Sequence, residues 1–199
     1  MNSEYVVRLD GIVDPGQVGV RAARLAELAR EGVRVPRGFA VTAEAYGEFV
    51  RDARLAPEIA LMVRRVRAGR DLVIAAAEIR SAFCEAPMPS TVVEEILEAY
   101  RELGGDGTEV AVRCSPVTSD DAVRDDVFLH LSTGAEVVAA CRRCFAALYS
   151  AVALSNREAA GADQHRAVMP VTVQRMPQVG SYAIHAEGPA LVGTVVPGG

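Results

Sequence analysis

The chain contains no lysine: its 199 residues include 21 basic side chains, and every one of them is arginine. The phosphate-binding loop G-x-x-x-x-G-K-[ST] therefore cannot be present in its usual form, because that loop depends on its lysine. The formal net charge of −5 gives no general attraction to nucleic acid or to anionic lipid. Composition thus excludes one common nucleotide-binding motif and predicts neither nucleic acid nor a membrane as a partner.

Signals for export or membrane insertion are also missing from the sequence. The first residues, "MNSEYVVRLDG", lack the basic flank and the long apolar core of a signal peptide. No uninterrupted apolar run approaches the roughly 20 residues of a membrane-spanning helix. We therefore expect a cytoplasmic, soluble protein. Its length fits one domain over 1–199, which can be divided into a helix-rich lobe, 1–107, and a lobe of a strand, a long helix and further strands, 108–199.

The four cysteines do not form a disulfide framework in a chain of this size and context; they are Cys84, Cys114, Cys141 and Cys144. Cys141 and Cys144 form a C-x-x-C, but no second pair of cysteine or histidine ligands completes a zinc site. A redox pair normally opens a helix after a strand, whereas this pair lies inside a long helical pattern. We expect both to be buried, structural side chains.

The periodicity of apolar residues predicts mainly helices, with short strands between them. Helices are predicted over Val18–Arg30, Ala43–Ala53, Pro57–Ala68, Leu72–Glu85, Ser90–Leu103 and Ala135–Ala160. Thr42 and Ser90 are placed to cap two of them. Extended segments are predicted in "VRVPRGFAVT", "TEVAVRCS", "VFLHL", "AVMPVTVQRM", "GSYAIHAEG" and "ALVGTVV". Strands separated by helical blocks are typical of an α+β or α/β domain.

No catalytic constellation stands out from the residues alone. The histidines are scattered, and a structural role is the commoner one for histidine on a predicted strand, as with His130 and His185. The segment "SDDAVRDD" is rich in aspartate, whose carboxylates suit a hard cation. Such a segment is more often a solvated loop that includes a helix cap. The residues by themselves indicate only a folded domain with helices and strands.

Several segments, taken in order, resemble the N-terminal nucleotide-binding domain of pyruvate phosphate dikinase, phosphoenolpyruvate synthase and rifampicin phosphotransferase. The stretch "VGVRAARLAEL" resembles the family's opening glycine, lysine and small-residue helix, and "VPRGFAVTAEAY" resembles its "VPxGF" and "T-x-x-A-Y/F". Further on, "AVRCSPVTSDD" resembles "AVRSSAxxED", "VFLHL" resembles "TFLNV", and "PVTVQRMP" resembles "AVVVQxMV". The collinear order over nearly the whole chain makes the resemblance specific.

The resemblance implies an ATP-grasp-like α+β fold with a mixed or antiparallel sheet, which binds ATP with Mg²⁺ and passes a phosphoryl group to a histidine on a separate domain. Arg21 stands where the family has its phosphate-binding lysine, and Arg113 stands where it has a phosphate-contacting arginine. Gln174 matches a glutamine near the adenine side. Asp120 and, in a looser alignment, Glu187 match carboxylates expected to face the metal.

The chain also departs from the family pattern. Arginine replaces lysine at Arg21, and the two side chains are not equivalent at a tight phosphate site. The family's glycine-containing "SFAGQ" is replaced by "AVRDD", and Val152 stands where the family has another arginine, although Arg157 is retained. The 199 residues include neither the histidine domain nor a pyruvate-type barrel.

Three functions are compatible with this pattern. The chain is a nucleotide-binding subunit of a split phosphotransferase with a separate histidine-carrying partner, a degenerate noncatalytic binding or regulatory module, or a protein that binds another small anion in the same pocket. We do not expect these 199 residues to catalyse a reaction without a partner.

Overall fold

Five strands form one antiparallel sheet in the computed structural model, which describes residues 5–11, 13–117, 127–164 and 166–176, and the backbone of two further strands at 182–187 and 190–195. The sheet order is β1-β2-β5-β3-β4, and all neighbours are antiparallel. Its strands are β1 (Val6–Arg8), β2 (Gly38–Val41), β3 (Val110–Cys114), β4 (Val127–Leu131) and β5 (Val171–Arg175). A separate hairpin consists of β6 (Tyr182–Glu187) and β7 (Ala190–Val195). The α+β expectation is confirmed.

Eight helices lie in the described part of the chain. They are α1 (Pro15–Val18), α2 (Val20–Arg30), α3 (Ala43–Asp52), α4 (Leu55–Arg67), α5 (Leu72–Glu85), α6 (Ser90–Leu103), α7 (Gly134–Ala147) and α8 (Ala151–Ala159). The predicted bounds of α5 and α6 agree with the structure, and Thr42 caps α3 by accepting the N–H of Ala45. The predicted cap at Ser90 is wrong, because Pro89 is the N-cap and Ser90 is the first helical residue.

Two predicted helices are each divided in the structure. The helix predicted over Val18–Arg30 is interrupted at Gly19, whose positive φ of 83° ends α1 and precedes α2. The helix predicted over Ala135–Ala160 ends at Ala147, and α8 begins after Ser150, whose hydroxyl accepts the N–H of Ala153. Both breaks depend on contacts between residues that periodicity alone does not reveal.

One face of the sheet forms the main core. Side chains alternate across a strand, so that Val110, Val112, Val171 and Val173 all point to this face, where each is fully buried. Helix α7 packs across the face, α6 covers its β1–β2 end, and α5 packs on α7 from outside. An aromatic cluster fills the space between α3, α5 and α7, with ring centroids 5.1 to 6.3 Å apart; its members are Tyr46, Phe49, Phe83, Phe145 and Tyr149.

The C-x-x-C pair belongs to this core. Cys141 and Cys144 lie on the buried side of α7 as free thiols, which confirms their expected structural role. Burial raises the pKa of Cys141 to about 12, because desolvation penalises the thiolate. A thiol with that pKa stays protonated at neutral pH and is a poor nucleophile.

The stretch Gly134–Ala159, which contains α7 and α8, is long and apolar enough to span a membrane when judged by length and composition alone. Most of this stretch is buried inside the fold, with 61% of its most apolar window covered by other parts of the protein. A buried core helix passes the same test, and the apolar composition of this stretch matches its packing, with α7 against the sheet and α8 against α5.

Candidate functional site

The opposite face of the sheet is covered at one end by helices α1 and α2. A small second apolar cluster, made of Leu9, Val18, Ala22 and Ala40, joins the two helices to strand β2. The hydroxyl of Ser115, just after strand β3, donates to the carbonyl of Val18 at 3.0 Å and accepts the N–H of Ala22 at 3.3 Å. One side chain thus bonds to the end of α1 and to the first turn of α2.

The backbone between α1 and α2 lies unusually close to the backbone that follows β3. The N–H of Val20 donates to the carbonyl of Pro116 at 3.3 Å. An added Cβ at Gly19 would lie 1.8 Å from the carbonyl oxygen of Ser115, a distance that no side chain tolerates. Glycine is therefore required here for both its conformation and its lack of a side chain. We call Gly19, Val20 and Ser115, with the bonds described above, the α2 clamp.

Arg21 lies in the first turn of α2, directly after the clamp. Its side chain is half-buried, and its Nη1 is 3.4 Å from the carbonyl oxygen of Cys114. This contact brings the guanidinium to the end of β3, at the residue next to Arg113. The structure therefore places two of the predicted phosphate-binding residues, Arg21 and Arg113, at the same end of one strand.

Arg113 and Gln174 share one face of the sheet with a third polar side chain, Thr172. Arg113 is directly opposite Thr172 in the β3–β5 register, and Gln174 is opposite Ala111 and, on the other side, Gly38. Residues in register on antiparallel strands have side chains on the same face, and diagonal neighbours lie about 7–8 Å apart. We call Arg113, Thr172 and Gln174 the polar strip.

The polar strip contains buried atoms without partners. Thr172 is 1% exposed and Gln174 is 6% exposed. Neither the Thr172 Oγ1 nor the Gln174 Nε2 has a hydrogen-bond partner among the residues that the structure describes. An unsatisfied buried polar group costs about 1–3 kcal/mol, so that two of them side by side on one strand require an explanation. A bound polar ligand or ordered water would supply the missing partners.

Among the described residues, two basic side chains lie at this end of β3. Two guanidinium groups, those of Arg21 and Arg113, lie there, and the positive end of the α2 dipole points the same way. The N–H groups of Val20 and Ala22 are already bonded within the clamp, so the arginine side chains supply the main attraction for an anion. Guanidinium groups suit phosphate oxygens because they donate several parallel hydrogen bonds.

The predicted carboxylate ligands of Mg²⁺ fall largely outside the described residues. Asp120 lies outside them altogether, and Glu187 is the last residue of β6, of which only the backbone is described. The backbone of strand β6, which includes Glu187, lies against helix α2, the helix that carries Arg21. In the ranges that the structure describes, no three histidine, cysteine, aspartate or glutamate side chains are grouped to hold a metal ion.

Of the histidines, only the side chain of His130 lies in the described part of the chain. His130 is on the edge strand β4, where its Nδ1 is 3.0 Å from a carboxylate oxygen of Glu109 on the surface. His165 and the side chain of His185 fall outside the described residues. The pair formed by His130 and Glu109 is exposed on both sides and is not part of the polar strip.

A cavity of about 380 Å³ lies on the other side of the sheet, between α4, α5 and α8. Its lining is mostly apolar, with Met62, Leu72, Ile79 and Leu154 among its walls. The one charged residue of its lining, Glu158, is paired with Arg67 at 2.7 Å. This cavity therefore lacks the basic side chains that a phosphate group needs.

Sequence reasoning found three residues around this face of the sheet and missed the rest. Arg21, Arg113 and Gln174 were expected from motif resemblance, whereas Thr172 and Ser115 were not. The signal for Thr172 was present in "VTVQ", where two polar residues alternate with two valines on a buried strand. Ser115 gave no such signal, because its role depends on the approach of a helix 93 residues earlier in the chain.

Comparison with known proteins gives a family match over most of the chain. The family described as "Pyruvate phosphate dikinase, AMP/ATP-binding domain" matches residues 16–183. The chain is 34% identical over 187 residues to a probable phosphoenolpyruvate synthase of Staphylothermus marinus, an alignment that covers 86% of this chain. It is 36% identical over 171 residues to the phosphoenolpyruvate synthase of Aeropyrum pernix, which covers 80% of this chain.

A relative with a different name is also similar to this chain. The chain is 31% identical over 186 residues to a rifampicin phosphotransferase of a Streptomyces species, across 88% of this chain. In all three alignments the chain spans only about a fifth of the relative's own length, 22%, 21% and 21% respectively. The matches therefore concern one part of each larger protein.

Proposed function

The chain belongs to the family of the pyruvate phosphate dikinase AMP/ATP-binding domain, and from that membership we propose that it binds ATP between helix α2 and the polar strip. The observation that carries the proposal is the contact of Arg21 with the backbone carbonyl of Cys114, the residue next to Arg113 on β3. A polyphosphate suits such a pair because its oxygens accept the parallel hydrogen bonds that guanidinium groups donate.

The α2 clamp supports the same site. Phosphate binding requires that its cationic groups be held in place before the ligand arrives, because ordering a long side chain on binding costs free energy. Ser115 fixes the first turn of α2 against the end of β3, and the turn carries Arg21. The clamp therefore fixes the separation of the helix and the strand that carry the two arginines.

Mg²⁺ is part of the proposal through Asp120 and Glu187. Carboxylates beside a triphosphate are unfavourable unless a cation lies between them, and Mg²⁺ bound to ATP supplies that cation. We propose these two residues as its protein ligands on the basis of family resemblance. Their loss should weaken the binding of Mg²⁺–ATP more than the binding of ATP in excess chelator.

We further propose that the chain acts as the nucleotide-binding subunit of a split phosphotransferase. The chain spans about a fifth of the length of its curated phosphoenolpyruvate synthase relatives. Transfer to a histidine would then require a separate histidine-carrying protein, with ATP held by this chain. The noncatalytic alternative differs in one respect: it predicts no transfer in the presence of such a partner.

Calorimetric titration of the purified protein with ATP and Mg²⁺ tests the first step. We expect saturable binding that weakens by about 10-fold or more in Arg113→Ala and in Arg21→Ala, since a hydrogen bond to a charged group contributes about 1.5–3 kcal/mol. Arg30→Ala is the matched control, because Arg30 is an exposed arginine in the last turn of the same helix. Absence of binding at millimolar ATP, from protein shown to be folded, would contradict the proposal.

A labelling experiment separates the split enzyme from the noncatalytic module. The protein is incubated with radiolabelled ATP, Mg²⁺ and a separately produced histidine-bearing domain, and acid-labile label on that domain is counted. Label that depends on the chain and is lost in Asp120→Asn supports phosphoryl transfer. Tight ATP binding with no label on any histidine domain from the chain's own genomic neighbourhood supports the noncatalytic module instead.

A further inference from the structure

The hydroxyl of Thr172 lies in an environment that gives it no partner within the described residues. Its side chain is 1% exposed, between Ala40 of β2 and Arg113 of β3 in the sheet register. Valine has nearly the same shape as threonine and would fill this position without burying a hydroxyl group. The hydroxyl therefore destabilises the unliganded fold, unless something outside the described residues bonds to it.

The neighbours of Thr172 indicate which chemical group would bond to it. Arg113, opposite on β3, can only donate hydrogen bonds through its guanidinium, and the unpartnered Nε2 of Gln174 is also a donor. A hydroxyl can donate as well. Because the guanidinium of Arg113 only donates, the group that it shares with Thr172 must offer acceptor oxygens, as a phosphoryl group does. Gln174, whose amide both donates and accepts, keeps the position near the adenine side that the family resemblance implies.

We propose that Thr172 is a phosphate-contacting residue whose hydroxyl donates to a phosphoryl oxygen bound by Arg113. This assignment rests on the proposed function and adds a residue and a ligand group to it. Thr172 is covered in the unliganded structure. Ligand entry therefore requires the layer that covers this face of the sheet to move.

Two substitutions at this position test the assignment. Thr172→Val removes only the hydroxyl, and Thr172→Ser keeps it; both are titrated with Mg²⁺–ATP and with inorganic tripolyphosphate, which has phosphoryl oxygens but no nucleoside. We expect Thr172→Val to raise the Kd for both ligands by the same factor, about 10-fold, as for the loss of a hydrogen bond to a charged group. Thr172→Ser should stay within about threefold of the wild type.

The unliganded variants provide a second readout that does not depend on ligand. We expect Thr172→Val to unfold at a urea concentration equal to or above that of the wild type, because the variant no longer buries an unpartnered hydroxyl. A clear fall in its midpoint would show that the hydroxyl has a partner within the protein, which would overturn the proposal.

The ligand titrations distinguish this proposal from the proposed function. If Thr172→Val binds both ligands as tightly as the wild type, or loses affinity for ATP while binding tripolyphosphate unchanged, the phosphate assignment is overturned and ATP binding stands. If the wild type binds neither ligand, ATP binding itself fails. Equal losses for both ligands, with rescue by Thr172→Ser, support the assignment.

Discussion

The Cα of Gly19 approaches Ser115 so closely that a methyl group added there would lie 1.8 Å from the Ser115 carbonyl oxygen and 2.5 Å from its hydroxyl. The glycine also has a φ of 83°, a conformation that L side chains rarely adopt. Steric fit and backbone conformation thus require glycine for separate reasons. The contact holds α2 against the end of β3, where Arg21 reaches the backbone of Cys114, the residue next to Arg113.

Substitution of Gly19 by alanine should therefore be severe. We expect Gly19→Ala to lower the free energy of unfolding by roughly 3 kcal/mol or more, because backbone atoms of Ser115 must move to make room. Urea denaturation monitored by circular dichroism measures the change. Gly32→Ala is the matched control, since Gly32 has a φ of 85° but nothing within 4 Å of the added methyl.

The control variant Gly32→Ala should lose only the stability that corresponds to placing an alanine at a positive φ. We expect Gly32→Ala to cost roughly 1–2 kcal/mol, the strain of a left-handed alanine. The difference between the two variants then reports the close contact itself. Equal losses would show that the approach of Gly19 to Ser115 contributes nothing to stability, which would contradict the structure at this junction.

Removal of the Ser115 hydroxyl should affect both stability and binding. Ser115→Ala loses a bond to the carbonyl of Val18 and one from the N–H of Ala22, and we expect a loss of about 1–3 kcal/mol in the free energy of unfolding. We also expect weaker ATP binding, because the turn that carries Arg21 is no longer fixed.

Ser150→Ala is the control for Ser115→Ala. Ser150 caps α8 through the N–H of Ala153, and its loss should cost about 1 kcal/mol, as for other N-caps. Its helix lies on the far side of the sheet from α2, so ATP affinity should not change. A loss of affinity in Ser150→Ala that matches Ser115→Ala would mean that binding follows general stability and not the clamp.

The hydroxyls of Tyr46 and Tyr149 share a buried hydrogen bond at 2.9 Å, which joins α3 to the end of α7. Burial raises the pKa of both phenols, so the bond is between neutral groups at neutral pH. We expect Tyr46→Phe to destabilise the fold by about 1–2 kcal/mol, since it leaves the Tyr149 hydroxyl unpaired.

A double-mutant cycle with Tyr149→Phe isolates this bond. The double variant should be less destabilised than the sum of the single variants, with a coupling energy of about 0.5–1.5 kcal/mol, because removal of both hydroxyls leaves no unpaired group. Additive losses would show that the two hydroxyls do not interact in solution.

The sequence predicts well those elements that depend on local pattern. Helices α5 and α6 have strong apolar periodicity and clear breaks, and their predicted bounds agree with the structure. Strand β1 is only three residues long, too short for alternation to be visible, and was not predicted. The break between α7 and α8 was missed because a buried arginine stabilises it: Arg157 donates to the carbonyl of Leu148 and to Gln164.

The residues of the candidate site likewise fall into those that local sequence predicts and those that depend on distant contacts. Motif resemblance identified Arg21, Arg113 and Gln174 as residues of one site, and the structure places them at one end of β3 and on the facing strand. Whether they bind ATP stays a prediction. The hydroxyl of Ser115 and the unpartnered atoms of β5 could not be predicted, because burial and hydrogen bonding are set by elements distant in sequence.

The capping box of α7 leads us to expect that the stability of the fold depends on pH. A carboxylate oxygen of Glu136 accepts the N–H groups of Ser132 and Thr133, and the Thr133 hydroxyl accepts the N–H of Glu136. The bond from Ser132, followed by that from the Thr133 hydroxyl, lowers the pKa of Glu136 from its ordinary value of 4.5. The ionised form is therefore favoured in the folded state.

The sign of the pH effect follows from that direction. Because the folded-state pKa lies below the unfolded-state value, the carboxylate stabilises the fold above pH 4.5, and this contribution is lost as the pH falls through the folded-state pKa. We expect Glu136→Gln to be less stable than the wild type at pH 7 and to lose less stability between pH 5 and acid pH. Urea titrations at several pH values measure both changes.

Glu98→Gln, which removes an exposed carboxylate on α6, should leave the wild-type pH dependence nearly intact. If the free energy of unfolding of Glu136→Gln falls with pH as steeply as that of the wild type, the capping carboxylate does not cause the loss of stability in acid.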